Sequence, residues 1–303
     1  MFYLCATFSK MTDRAKIDTQ SWVIMIFLSM VWGSSFILIK KVLIAFEPVQ
    51  VAALRIGISA FAFLPFVWIN RKQIDWSRWK MFLAIGMVGN GIPAFLFPFA
   101  ETHISSAMAG LLNSLSPIWT LIIGIVLFGL RFKITKIAGI LIGFIGAALL
   151  ILFGNSGGLG GDLSYGLFVI LATFFYGLSA NLVQTYTYDV KPIITASVTF
   201  MLIGIPAFFV LWQTDVSSVI VSNPDVWYSL GAATVLALLG TVLSTVLFYK
   251  LILQTNAVFG STVTYLMPFF AILWGIADGE HIGIIHFAGL ILILAGVYFT
   301  KSK

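Results

Sequence analysis

Ten long runs of apolar residues alternate with short polar breaks along this chain of 303 residues. A helix needs about 20 apolar residues to cross roughly 30 Å of hydrocarbon. The runs have this length, and they lack the apolar–polar alternation of membrane barrel strands. They predict ten transmembrane helices, called spans 1 to 10 below: 22–43, 49–69, 79–99, 106–128, 134–153, 164–186, 193–212, 227–249, 257–277 and 283–300.

Landmark residues of the first half recur in the second half at nearly fixed spacing. One set pairs Trp32 with Tyr176, Gly33 with Gly177, Pro48 with Pro192 and Trp68 with Trp212. A second set, with a shift of one residue after its proline, pairs Pro117 with Pro268, Gly139 with Gly289 and Gly146 with Gly296. In a membrane protein, such a duplication indicates a transporter built around a central site.

Each half holds five spans, and this odd number makes the second half enter the membrane from the opposite side. The pattern therefore predicts an all-α integral membrane fold of ten transmembrane helices, arranged as an inverted five-helix repeat. We expect a cytoplasmic N-terminal segment over 1–20, a first repeat over 21–155, a flexible glycine-rich linker over 156–161 and a second repeat over 162–303.

Composition and charge exclude a soluble protein. Hydrophobic residues make up 60% of the chain and charged residues 9%, whereas a soluble domain carries about 25% charged residues. With the N-terminus in the cytoplasm, only Lys40 and Lys41 lie outside, Arg55 lies within a span, and all other Lys and Arg residues lie inside. The positive-inside rule therefore predicts a multi-pass protein of the cytoplasmic (inner) membrane with both termini cytoplasmic. The net charge of +6 is spread over several inner segments, which fits anchoring to the lipid bilayer and not nucleic-acid binding.

Several motifs resemble the EamA-type transporters of the drug/metabolite transporter superfamily, and the similarity covers essentially the whole chain. The first half contributes Trp32-Gly33-Ser34-Ser35-Phe36, Lys40, Pro48, Leu54-Arg55, Ser105-Ser106-Ala107 and Leu115-Ser116-Pro117, and the second contributes Asn256-Ala257, Pro268 and Gly279-Glu280. One position departs from the family, which usually places a Glu after a Gly at the end of the fourth span of each half. The first half has Gly129-Leu130 there, so only Glu280 can supply that carboxylate.

The resemblance implies a secondary transporter, often an exporter of amino acids or other small metabolites, that needs no ATP-binding domain. The sequence agrees, since it has no Gly-x-x-x-x-Gly-Lys-Ser/Thr loop. An enzyme is disfavoured because His103, His281 and His286 show no metal-ligand spacing, and neither a metal nor a cofactor is predicted. We predict export of a small neutral or zwitterionic metabolite, such as an amino acid, by alternating access. The alternatives are a drug or other metabolite carrier of the same fold, a channel, or a non-transporting partner or flippase subunit.

Polar groups within the predicted spans are costly in lipid and are therefore candidate substrate-binding residues. Arg55 is the first of them. In one interpretation it meets a substrate carboxylate. In the other, its long side chain snorkels outward, or it pairs with a backbone carbonyl or with Glu101.

Both halves also carry aromatic and polar residues at mid-depth, where a ring can stack on a small amphipathic molecule and a hydroxyl can orient it. The candidates are Trp32, Ser34 and Ser35 in span 1, Asn90 in span 3, Asn113 and Ser116 in span 4, Tyr176 and Ser179 in span 6, and Thr262 and Tyr265 in span 9. For Gly33 and Ser34, close helix packing is the alternative.

Pro117 and Pro268 are candidates for gating, because each removes one helical hydrogen bond and frees a carbonyl, that of Asn113 or Thr264. Such a carbonyl is either a ligand group facing a cavity or part of a packing kink that hydroxyl groups satisfy.

Span 3 is predicted to be irregular, because it contains Gly89-Asn90-Gly91, Pro93 and Pro98. Span 8 is its equivalent and contains Gly240, so both spans are candidates for bending in gating; the alternative is that glycines facing lipid are simply tolerated. Glu101, His103 and Glu280 lie at the predicted outer rim. A carboxylate and an imidazole there would couple transport to protons; the alternative is that these residues are ordinary solvated loop groups.

Overall fold

A computed structural model of the chain describes residues 17–104, 106–130, 133–154, 163–277 and 284–300. The predicted linker, Glu280 and most of the N-terminal segment lie outside these residues. The spans are built as follows: span 1 from Thr19–Gly33 and Ser35–Val42, span 2 from Pro48–Asn70, span 3 from Trp79–Gly86, Met87–Gly91 and Ile92–Glu101, span 4 from Ser106–Asn113 and Ser116–Val126, span 5 from Ile134–Gly154, span 6 from Gly166–Tyr186, span 7 from Pro192–Gln213, span 8 from Val226–Ala237, Leu238–Leu243 and Ser244–Gln254, span 9 from Ala257–Ser261 and Val263–Ala277, and span 10 from Ile284–Thr300.

The all-helical membrane fold is confirmed. Within the described ranges, six helices are long and apolar enough to cross a membrane: Thr19–Val42, Pro48–Gln73, Trp76–Glu101, Gly166–Tyr186, Pro192–Gln213 and Val226–Gln254. Apolar helices also occupy the other predicted spans: Ser116–Val126, Ile134–Gly154, Val263–Ala277 and Ile284–Thr300.

Three spans are interrupted where a continuous helix was predicted. Span 1 breaks at Ser34, whose hydroxyl donates to the Met30 carbonyl at 2.9 Å, and hydroxyls that bond to the preceding turn often bend helices. Span 9 breaks at Thr262, which bonds in the same way to the Phe259 carbonyl at 2.7 Å.

The break in span 4 follows from proline. Residues 114–115 form a turn, and the next helix begins at Ser116 with Pro117 in its first turn. Proline is tolerated at that position because the N–H it lacks would have no partner there. The polar break between spans 7 and 8 also contains a short helix, Val216–Ser222, which the Asp215 side chain caps.

The two halves pack in matched pairs. Span 2 packs on span 7 and span 5 on span 10, while span 1 packs on span 9 as span 6 packs on span 4. A Cβ placed on Gly33 would lie 2.9 Å from the Met267 carbonyl oxygen of span 9, and one on Gly177 would lie 2.7 Å from the Thr120 nitrogen of span 4. The paired glycines Gly33 and Gly177 therefore make equivalent contacts, and the packing interpretation of Gly33 is confirmed.

Glycines bring spans 5 and 10 into backbone contact. A Cβ on Gly139 would lie 2.7 Å from the Gly296 carbonyl oxygen, and one on Gly146 would lie 2.7 Å from the Ile293 nitrogen. Small residues let membrane helices approach closely where no apolar driving force separates helix from lipid. The repeated glycines are therefore packing residues of the seam between the halves.

Loops of opposite halves also meet. Arg78 of the loop between spans 2 and 3 forms an ion pair with Asp189, with 2.7 Å between Nη1 and Oδ2, and it donates to the Tyr186 carbonyl. At the other end of the helices, the Ser229 hydroxyl donates to the Lys41 carbonyl at 2.8 Å. One end is thus joined by an ion pair and the other by a neutral hydrogen bond.

Candidate functional site

A cavity of about 110 Å³ lies between the two halves. Residues from spans 1 to 4 of the first half and spans 6, 8 and 9 of the second half line it. Eight of the eleven predicted substrate-binding residues face this cavity: Trp32, Ser35, Arg55, Asn90, Asn113, Ser116, Tyr176 and Ser179. The repeat therefore predicted cavity-lining residues in both halves of the chain. Their role in substrate binding stays a prediction.

The other three predicted residues, Ser34, Thr262 and Tyr265, lie away from the cavity. Their hydroxyls donate to backbone carbonyls, and that of Tyr265 donates to Ile140 of span 5 at 2.8 Å. The ring of Tyr265 is fully buried, and a Cβ on Gly143 would lie 2.7 Å from its Cδ2 atom. Because each helical residue is rotated by about 100° from the last, an error of one or two positions selects the wrong face.

Twelve further residues line the cavity. They are Phe36, Ile39, Gly89, Phe97, Thr120, Gly240, Thr245, Phe248, Tyr249, Ser261, Thr264 and Met267. Thr264 could have been found by symmetry, because it lies four residues before Pro268 as Asn113 lies four residues before Pro117. The phenylalanines could not, since the chain has 28 of them and composition does not distinguish lipid-facing from cavity-facing rings.

Aromatic rings form much of the cavity wall. Phe97 stacks on Tyr176 with 5.9 Å between centroids and 24° between planes. Trp32 meets Phe248 edge-on at 5.2 Å. The resulting surface offers ring faces and edges to an apolar group, with hydroxyl and amide groups between them.

Among the described residues that line the cavity, Arg55 is the one with a charged side chain. Its Nε–H donates to the Thr241 hydroxyl of span 8 at 2.7 Å. It therefore neither snorkels outward nor bonds to a backbone carbonyl within the described part of the chain. Glu101 is close enough to attract the guanidinium electrostatically, and its side chain is buried, at 5% exposure. The interpretation of Glu101 as a solvated loop group is therefore wrong.

Spans 3 and 8 each contain a π-helical segment, at Met87–Gly91 and Leu238–Leu243. The predicted irregularity of span 3 is confirmed, and span 8, its equivalent, has the same irregularity. In span 8, the hydroxyls of Thr241 and Ser244 donate to carbonyls five residues earlier, at 3.2 and 2.7 Å. Such hydroxyl bonds fill the widened turn, and π-helical segments frequently mark functional sites.

Both π-helical segments contact the opposite half, as does Gly86, the residue just before the segment of span 3. The Trp32 Nε1–H donates to the Gly240 carbonyl at 2.9 Å, and Arg55 holds the neighbouring Thr241. In span 3, Gly89 packs against Ser179, and a Cβ on Gly86 would lie 3.2 Å from the Thr199 carbonyl oxygen. Each segment is thus held by residues that belong to the other repeat.

The two proline positions predicted to free backbone carbonyls differ in their surroundings. The Asn113 carbonyl lies at the end of the first helix of span 4 and accepts from the Ser116 hydroxyl at 2.8 Å, so a hydroxyl group satisfies it, as the second interpretation predicts. Pro268 lies inside the helix Val263–Ala277, and Thr264 faces the cavity. A gating role for either proline stays a prediction.

Glu101 and His103, the two predicted rim residues that the structure describes, have different surroundings. His103 is exposed and stacks on Tyr165 with 3.7 Å between centroids, and its Nδ1 lies 2.7 Å from the Thr102 hydroxyl. Glu101 points into the protein, and Glu280 lies outside the described residues. Of these three, Glu101 alone is electrostatically coupled to a cavity residue within the described ranges.

Comparisons with known proteins agree with this architecture. An uncharacterized transporter of Archaeoglobus fulgidus is 28% identical over 131 residues, which are 43% of this chain and 47% of that protein, so the match spans about half of that relative. The uncharacterized transporter YdfC of Bacillus subtilis is 24% identical over 292 residues, 90% of this chain and 88% of that protein. A protein of known crystal structure superposes with a TM-score of 0.69 at 16% identity, over 92% of this chain and 95% of that chain, which shows a shared fold.

The family assignment follows the two repeats. Residues 20–152 and residues 163–302 each match the EamA-like transporter family. The two matches cover the five spans of one half and then the five spans of the other, with the cavity between them. The chain therefore belongs to the EamA-like transporter family.

Proposed function

We propose that this transporter exports a small neutral or zwitterionic metabolite, such as an amino acid, across the cytoplasmic membrane by alternating access. The observation that carries the proposal is the cavity between the halves. Its wall combines aromatic rings with hydroxyl and amide groups and one cation, Arg55. A small cavity with this lining suits a compact molecule that has an apolar part and a few polar groups.

Alternating access is supported by the symmetry of the cavity wall. Both repeats contribute to it, so a movement of one repeat against the other changes access to the cavity while the site stays near the midplane. The energy source in this proposal is an ion or substrate gradient, without an ATP-binding domain. Glu101 is the candidate for proton coupling, because it is buried and interacts electrostatically with Arg55.

Counterflow in proteoliposomes tests the proposed function. Vesicles preloaded with an unlabelled mixture of amino acids are expected to take up a labelled amino acid in a saturable manner, several-fold faster than unloaded vesicles. Protein-free liposomes are the control. A channel would show flux without stimulation by the preloaded substrate, and a non-transporting subunit would show no flux. Exchange of only multivalent anions, such as sugar phosphates, would contradict the proposed substrate class.

The proposed orientation places the loop between spans 2 and 3 in the cytoplasm, because most Lys and Arg residues lie on that side. In a Cys5→Ser background, which removes the one native cysteine, Ser222→Cys should react with a membrane-impermeant maleimide added to intact cells. Ser77→Cys should react only after permeabilisation. Both serines are exposed on the protein surface. A difference in labelling therefore reports the side of the membrane and not burial within the protein. The opposite labelling pattern would reverse the orientation.

A further inference from the structure

We propose that Arg55 binds a carboxylate of the substrate through its Nη1 and Nη2 groups, and that the transported molecule is therefore a monocarboxylate with a polar group at its other end. This inference rests on the proposed function, because it names the substrate class of the same cavity. It comes from hydrogen-bond donors that face the cavity without protein partners.

The guanidinium of Arg55 is only partly satisfied by protein. An arginine has five N–H donors in a planar fork. The Nε–H is bound to Thr241 at 2.7 Å, whereas Nη1 and Nη2 make no hydrogen bond to a described residue. Donors of a charged group that face a small cavity are costly when left unpaired. A carboxylate matches the two Nη groups with two parallel hydrogen bonds.

The charge balance of the site favours a molecule with one carboxylate and no net charge. Glu101 is buried and within electrostatic range of the Arg55 guanidinium, so an acidic group lies near the cation. A dianion or phosphate ester would add uncompensated negative charge at membrane depth, which is unfavourable. A zwitterion leaves the net charge of the cavity unchanged, and its ammonium group can lie against ring faces such as those of Trp32 and Tyr176.

An unpaired hydroxyl with two polar neighbours marks where the other end of the molecule binds. The Tyr249 side chain is 2% exposed, and its hydroxyl has no hydrogen-bond partner among the described residues. Asn90 is a polar neighbour that does not meet hydrogen-bond geometry with it, and Ser179 faces the same cavity. These three residues come from spans 3, 6 and 8, whereas Arg55 lies in span 2, so the cavity distinguishes the two ends of a molecule.

Arg55 also connects a bound carboxylate to the backbone of span 8. Thr241, which accepts from Nε, lies in the π-helical segment Leu238–Leu243. Thr241 therefore positions the guanidinium without touching the substrate, and we expect Thr241→Val to change the apparent KM more than the maximal rate.

The test compares each of a panel of L-amino acids with its carboxamide, which keeps the side chain and removes the carboxylate. Ligand binding is measured by thermal shift on the purified protein, and exchange by counterflow. Wild-type protein is expected to bind at least one acid about 10- to 100-fold more tightly than its amide, the ratio expected for a charged hydrogen bond. Arg55→Gln should abolish this preference, and Arg55→Lys should retain part of it.

Matched variants separate binding from folding. Arg71→Gln makes the same substitution at an exposed arginine outside the cavity and should leave the acid preference unchanged. Ser179→Ala should weaken binding of acid and amide alike by a few-fold. If Arg55→Gln does not fold, Arg55→Lys and Thr241→Val report on the same contact.

The outcomes distinguish the inference from the proposed function. Equal binding of acid and amide, binding of no acid, or unchanged acid affinity in folded Arg55→Gln would overturn the inference. Counterflow of a compound without a carboxylate, unaffected by Arg55→Gln, would overturn it while supporting a transporter. Acid-selective binding without exchange of any compound would support the carboxylate site and overturn the proposed transport.

Discussion

Gly296→Leu is expected to prevent stable packing of the two halves. A Cβ at position 296 would lie 2.7 Å from the Gly139 carbonyl oxygen and would also overlap the backbone of Gly143. Because the obstacle is helix backbone, it cannot move aside as a flexible side chain can. We expect destabilisation of about 3 kcal/mol, the upper end for overpacked cores, seen as a large fall in melting temperature and in the yield of monodisperse protein.

The chain supplies its own control for this substitution. Gly231 lies in span 8, and a Cβ there would meet nothing within 4 Å. Gly231→Leu adds the same side chain and should leave the melting temperature unchanged or slightly raised, since glycine is a poor helix former. Gly296→Ala should give an intermediate loss. Purification of Gly296→Leu with the melting temperature of the wild type would show that spans 5 and 10 do not pack through this glycine.

Trp32→Ala is expected to lower counterflow activity about tenfold or more. The Trp32 ring forms part of the cavity wall, packs edge-on against Phe248 at 5.2 Å, and donates to the Gly240 carbonyl at 2.9 Å. The hydrogen bond and the ring contact each contribute about 0.5–1.5 kcal/mol, and a loss of 1.4 kcal/mol is about tenfold. Trp32→Phe keeps a ring without the N–H donor and should retain intermediate activity.

Trp212→Ala is the matched control for Trp32. Trp212 is the second-half partner of Trp68 in the repeat, is 78% exposed, and lies outside the cavity. Its removal should leave initial rates of exchange close to those of the wild type at equal amounts of reconstituted protein. Wild-type rates in Trp32→Ala, with Trp212→Ala impaired, would indicate that the transported molecule passes elsewhere.

The spans were predictable because lipid imposes a strong requirement on sequence. Backbone groups in hydrocarbon must be bonded within the helix, so each crossing needs a long apolar run, and all ten predicted runs are helical where described. The interruptions were harder to predict. A serine such as Ser34 stays in a helix in most contexts, and only the packing of its neighbours decides whether the backbone turns there.

The cavity-lining residues that could be predicted are those that the repeat pairs between the two halves. Trp32 and Tyr176 hold equivalent positions and both line the cavity, as do Asn90 and Gly240 of the two irregular spans. Span 9 was misread because its helix begins again after Thr262, which turns Ser261 and Thr264 toward the cavity and Tyr265 toward span 5. The hydrogen-bond partner of Arg55 could not be predicted from the sequence. Thr241 is 186 positions away, and nothing local in the sequence indicates which face of span 8 meets span 2.

The π-helical segment of span 8 carries a consequence for the register of the helix that follows it. A π-turn holds one residue more than an α-turn. Conversion of Leu238–Leu243 to α-helix would therefore rotate Ser244–Gln254 by about 100° and advance it by about 1.5 Å relative to Val226–Ala237. Such a rotation would carry Tyr249 and Thr245 off the cavity wall as a unit, with every peptide still bonded. A change in one turn of this helix would thus exchange the side chains of span 8 that face the cavity without unfolding the helix.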